Sequence, residues 1–104
     1  MASYIKIAEV DDIPRASGKK IEVNGKSIAL FKHAAKIFAI QNNCPHQGAD
    51  IADGYIKNGK AVCPLHGWAY DLETGVFIGN ENTRIRTYEV KIIEKDVLIR
   101  WDDE

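Results

Sequence analysis

Four of the five cysteine and histidine residues in this chain of 104 fall in two short, similar stretches. The first reads Cys44-Pro45-His46-Gln47-Gly48 and the second Cys63-Pro64-Leu65-His66-Gly67-Trp68. Each offers one thiolate and one imidazole. Each has a proline that fixes φ beside the cysteine, and a glycine past the histidine where the backbone can turn sharply or approach a bound group. Sixteen residues, 47 to 62, separate the pairs.

Three chemistries use such residues. Ordinary loop side chains would not be expected to repeat the same four-residue theme. Tetrahedral zinc takes Cys₂His₂ sets, but usually as C-x₂₋₄-C and H-x₃₋₅-H pairs, whereas each stretch here joins one Cys to one His. A [2Fe–2S] cluster with two histidines in place of two cysteines on one iron needs two ligands of each type. Cys44 and Cys63 come first and His46 and His66 follow, so each stretch can supply one of each. His33, in the turn of FKHAAK, reads as a solvated side chain.

The rest of the chain must bring these stretches together. YIKIAEV alternates as a first strand, and DDIPRASGKK is a turn-rich connection with one helical turn after Asp11. Asn24-Gly25 and Asn58-Gly59 are strong hairpin signals. A short turn near Ala34 and Ala35 pairs Ile28–Lys32 with Lys36–Gln41. The hairpin at Asn58-Gly59 delivers Cys63 beside the first stretch. WAYDLETGVFI reads as strand, turn, strand. RIRTYEVKIIEKDVLIRW reads as a last hairpin, with Tyr88, Val90 and Ile92 on one face and Val97, Ile99 and Trp101 opposite. A turn signal about every ten residues indicates an all-β sandwich or small barrel in one domain, 1–104.

Composition narrows the function. Hydrophobic residues make up 45% and charged residues 28%, with net charge −1. That balance gives no basic surface for nucleic acid. No apolar run approaches the ~20 residues of a membrane span, and no secretory signal is visible. The expectation is a cytoplasmic, monomeric protein.

With these residues in view, the pattern C-x-H, then C-x-x-H-G, resembles the Rieske family, over CPHQGADIADG, CPLHGWAYDLETG and the TYEVKI strand. The resemblance implies a Rieske-type [2Fe–2S] cofactor, with Cys44 and Cys63 on the inner iron and His46 and His66 on the outer, solvent-facing one. It implies an antiparallel β-sandwich with a small cluster-binding subdomain at about 42–72. Rieske proteins of cytochrome bc-type complexes carry a disulfide at the positions of Ala49 and Leu65, so that clamp is absent. Trp68 replaces a serine that donates to a cluster sulfur in high-potential members, although Trp68 also reads as core. Tyr70 matches a family tyrosine.

The function implied is a one-electron carrier between a reductase and a terminal oxygenase, as in the ferredoxins of ring-hydroxylating dioxygenases. The alternative is the small subunit of an NAD(P)H-dependent nitrite reductase. The stretch IGNENTRIRTY lacks the prolines of many such ferredoxins. A structural zinc module is the third reading. An enzyme is not expected. With His46 and His66 used, only His33 remains for a mononuclear iron site, and no G-x-G-x-x-G follows a strand.

Overall fold

The computed structural model describes residues 2–15, 17–45, 48–64, 67–79 and 82–102. Their regular elements are ten strands and two single 3₁₀ turns, and there is no α-helix among them. Strands β1 (Ala2–Glu9), β10 (Asp96–Asp102) and β9 (Val90–Ile93) form one antiparallel sheet, in the order β1-β10-β9. A second holds β2 (Lys19–Val23), β3 (Lys26–His33), β4 (Lys36–Gln41) and β8 (Thr87–Tyr88), in chain order. A third, smaller sheet holds β5 (Tyr55–Lys57), β6 (Lys60–Val62) and β7 (Ala69–Asp71).

The second sheet is the middle layer because β3 is apolar on both faces. Side chains alternate across a strand, so Ile28 and Leu30 point one way and Ala29 and Phe31 the other, and all four are fully buried. Ile28 and Leu30 join Ala39, Val97, Ile99 and Trp101 in the core shared with the first sheet. Ala29, Phe31 and Ile40 face a second core with Ala61, Tyr70 and both cysteines. The small sheet and its loops therefore rest on the back of the sandwich.

The hairpins lie where the sequence places them. Asn24-Gly25 and Asn58-Gly59 both have positive φ at each residue, as a two-residue primed turn requires. The helical turn expected after Asp11 lies slightly earlier, as the 3₁₀ turn Val10–Asp12, closed by Glu9 N–H donating to Asp12 Oδ2 at 3.0 Å.

Two expectations change. The return of WAYDLETGVFI is not a strand: Tyr70 to Phe77 and Val76 to Arg84 are isolated bridges. Asp71 Oδ1 accepts from the N–H groups of Glu73 and Thr74 at 2.8 and 3.0 Å, which tightens the turn. Phe77 N–H then donates to Thr83 and Ile85 N–H to Gly75, so the segment's bonds stay largely within its own loop. The run containing Tyr88, Val90 and Ile92 is also not one strand. It changes sheets at Glu89, leaving Tyr88 against Ala39 and Val90 against Ile99. Ile92 is 44% exposed.

The turn at Ala34 and Ala35 has the same two-residue form as the Asn-Gly hairpins, with His33 opposite Lys36. Both alanines sit at positive φ, 51° and 64°. A Cβ in that region costs roughly 1–2 kcal/mol per residue, and asparagine and glycine relieve it. The double substitution Ala34→Asn, Ala35→Gly should therefore stabilise the protein by about 1–2 kcal/mol. A higher urea midpoint with unchanged slope checks this, and an unchanged midpoint would contradict it.

Candidate metal centre

The two cysteine stretches have one backbone design. Cys44 N–H donates to Ala49 O at 2.9 Å, and Cys63 N–H donates to Trp68 O at 2.7 Å. In each loop the residue before the acceptor is a glycine in the left-handed region, Gly48 at +72° and Gly67 at +67°. Each loop thus closes from its cysteine to the fifth residue on. One spacer or two before the histidine makes no difference to the closure. Pro45 and Pro64 stand exposed at the same position of each loop.

Different strands carry the two loops inward. Cys44 follows β4, and Asn43 bridges Asp50 at the loop's base. Cys63 follows β6 directly. Both cysteines are buried, 2% and 1% exposed. Cys44 Sγ lies 3.4 Å from the hydroxyl of Tyr70, which is fully buried. Burial, the contact with Cys44 and the negative charge of both sulfurs as thiolates all push the Tyr70 pKa up. Tyr70 therefore stays a neutral O–H donor, and both sulfurs lie within its electrostatic reach. His46 and His66 lie outside the described residues. His33 sits in the β3–β4 hairpin, away from the cysteines in sequence and in sheet.

Aromatic packing braces the second loop. Trp68 stacks on Phe77 at 4.3 Å between centroids, and Phe77 also meets Tyr70 at 5.7 Å. Ile78 N–H donates to Ala69 O at 2.9 Å. Phe77, just before the proline-free stretch, thus packs on both aromatic rings beside the second cysteine. The reading of Trp68 as packed against the core is thus supported.

Sequence reasoning missed Asn42. It is fully buried, and every polar group it has is used. Its side-chain amide donates to Ser27 Oγ at 2.9 Å and Asp50 Oδ1 at 3.0 Å, and its Oδ1 accepts from Ala52 N–H at 2.9 Å. Its backbone N–H donates to Ser27 O, and its carbonyl accepts from Ile51 N–H. These bonds tie both ends of the first loop to β3. The available signal was a polar residue two positions past the apolar run IFAI and two before Cys44.

A buried thiolate is costly in apolar surroundings unless a metal takes its charge. Two such sulfurs beside one buried hydroxyl donor suit a site with two thiolate ligands. The Rieske [2Fe-2S] domain model matches residues 3–89. The chain belongs to the Rieske [2Fe–2S] domain family.

It is 36% identical over 101 residues to the ferredoxin component of naphthalene 1,2-dioxygenase/salicylate 5-hydroxylase systems from Ralstonia sp., covering 96% of this chain and 97% of that protein. It is 34% identical to the naphthalene 1,2-dioxygenase ferredoxin component of Pseudomonas putida, over 92% of this chain and 93% of the other. The fold matches the Sphingomonas yanoikuyae B1 ferredoxin with a TM-score of 0.85 at 23% identity, over 96% and 100% of the two chains. It also matches a Mycobacterium tuberculosis protein described as an NADH-dependent nitrite reductase small subunit, with a TM-score of 0.90 at 16% identity, over 100% and 99%. The Rieske cofactor is a [2Fe–2S] cluster, so the zinc reading is set aside. No helix among the described residues is long and apolar enough to cross a membrane.

Asn42→Leu keeps the volume but removes the amide, leaving Ala52 N–H and Ser27 without their buried partner. Unsatisfied buried groups cost about 1–3 kcal/mol each. The variant should lose about 2–4 kcal/mol in chemical denaturation. A loss under about 0.5 kcal/mol, within the range of ordinary surface changes, would show that Asn42 does not hold the loop.

Proposed function

We propose that Cys44, His46, Cys63 and His66 hold the Rieske-type [2Fe–2S] cluster, and that the chain carries single electrons from a reductase to a terminal oxygenase. In this reading the chain is a single domain, 1–104, whose cluster-binding part spans about 42–72. It works in the cytoplasm as a monomeric carrier and is not itself an enzyme. The observation that carries the ligand assignment is the shared loop closure. It turns two separate strands into equivalent mounts, each ending in a buried cysteine, with Cys44 Sγ 3.4 Å from the Tyr70 hydroxyl. Ferredoxin components are among the relatives matched at 30% identity or more over at least 92% of the chain. That favours the carrier over the nitrite reductase small subunit, to which the likeness is one of fold at 16% identity.

When bound, the cluster supplies reversible one-electron chemistry at a centre that two neutral imidazoles and two thiolates leave uncharged when oxidised. The chain's residues set how easily that electron is accepted. The buried thiolates of Cys44 and Cys63 donate charge. Tyr70 donates a hydrogen bond toward Cys44 and favours the more negative, reduced state. Apolar packing by Ile51, Ala61 and Leu72 keeps water from the inner side.

Cys44→Ser and Cys63→Ser should each give nearly colourless protein with little iron or acid-labile sulfide, because a hydroxyl is a poor iron ligand. Full iron and sulfide with an unchanged visible spectrum in either variant would overturn the ligand set.

Voltammetry on the native protein should return a potential near the low end of the Rieske range of about −150 to +300 mV, because Trp68 replaces the serine donor. A clearly positive potential at pH 7 would contradict this. Tyr70→Phe should lower the potential further. One hydrogen bond worth about 1 kcal/mol is ~40 mV for one electron. No shift with the cluster intact would show that the hydroxyl does not act on the sulfur.

A further inference from the structure

Beside the first cysteine loop runs a groove of about 450 Å³, lined by Lys20, Glu22, Lys26, Gln41, Asn43 and Arg86 with Tyr88. It carries three cations and one carboxylate, on a chain whose net charge is −1. Lys20 is answered within the fold, by Asp50 at 3.4 Å and Glu22 at 3.9 Å. The ion pairs among the described residues include neither Lys26 nor Arg86.

These two cations are instead held against aromatic faces. The Arg86 guanidinium lies 4.9 Å from the Tyr88 ring centre, Tyr88 stacks on Trp101 at 5.9 Å, and Lys26 Nζ lies 6.0 Å from the Trp101 ring. Ring contact limits their freedom while leaving their donors for a visitor. The groove floor joins the cysteine loop. Gln41 Nε2 donates to Asn43 O at 2.8 Å, and Arg86 N–H donates to Gln41 Oε1 at 3.3 Å. A chain seated there would lie next to the residue that precedes Cys44.

We propose that this groove seats an acidic segment of the protein that delivers electrons to this chain. The inference rests on the carrier reading above. Charge complementarity selects carboxylates. Electron flow selects the donor over the acceptor. When one electron leaves the donor's redox centre and is taken up here, no bond forms or breaks, and the chain beside the groove gains one negative charge. An acidic partner is then held more tightly before transfer than after it, which suits a protein that must leave once it has delivered. By linkage, seating the acidic segment must lower the reduction potential by the same factor.

A fluorescent ten-residue glutamate peptide tests this on the intact, iron-loaded protein, by anisotropy at low ionic strength. Binding should be lost at high salt. Lys26→Glu and Arg86→Glu should each weaken it by about fivefold to tenfold. Lys95→Glu, in the β9–β10 turn at the other end of β10 from Trp101, should change it less than about twofold. Both groove positions are exposed, so the fold should tolerate the reversals. The oxidised protein should bind about threefold tighter than the reduced, a fall in potential of ~28 mV at 59 mV per tenfold.

Equal weakening by Lys95→Glu, or no binding, would overturn the site. So would competition by millimolar phosphate or equally tight binding of a single-stranded oligonucleotide at the same residues. Tighter binding by the reduced protein would overturn the donor assignment. A large gain in affinity on removing Asp103 and Glu104 would give the groove to the chain's own acidic end. Protein that binds the peptide but holds no iron would instead refute the carrier reading and leave the groove standing.

Discussion

The structure turns on a backbone bond made twice. In each loop a cysteine N–H donates to a carbonyl five residues on, and a left-handed glycine makes that closure possible. The bond fixes the loop without using either potential ligand. It leaves each cysteine side chain buried and the proline after it exposed. The proline after each cysteine adds stiffness where the chain leaves the core. A metal centre built from two separate loops needs both mounts to keep the same shape when the metal arrives, because reorganisation on binding would cost affinity.

The layered fold supplies the rigid base for these mounts. β3 is buried on both sides, so the same four residues, Ile28 to Phe31, hold the sandwich together and support the cysteine loops. Asn42 ties the first loop to this strand through Ser27, and Asp50 joins it from the loop's far end. The second loop is braced by the packing of Trp68 and Tyr70 on Phe77. Both loops converge on the core that contains Cys44 and Cys63.

Much of this was legible in the residues. Asn24-Gly25 and Asn58-Gly59 announce their turns because left-handed φ angles suit those residues, and the Cys/His stretches announce themselves by repetition. What stayed hidden depended on partners distant in sequence. Nothing local says that Ala2–Glu9 pairs with the last strand, and that pairing closes the first sheet. The alternation across Tyr88, Val90 and Ile92 is continuous, yet the chain changes sheets at Glu89, because Tyr88 has Ala39 to meet and Val90 has Ile99. The segment after Gly75 has strand-like residues, but Asp71 and Thr83 capture the turn and its bonds. Asn42's part was hidden because its five bonds run to Ser27 on β3 and to Asp50, Ile51 and Ala52 beyond the loop. The histidines' roles came from spacing and resemblance.

The central claim is that His46 and His66 share one iron while Cys44 and Cys63 share the other. Pulsed EPR of the reduced protein, prepared with ¹⁵N-histidine, tests it most directly. The account predicts two strongly coupled histidine nitrogens in the native protein and only one after either His46→Cys or His66→Cys. A native spectrum without strong histidine coupling, or one that neither substitution changes, would contradict it.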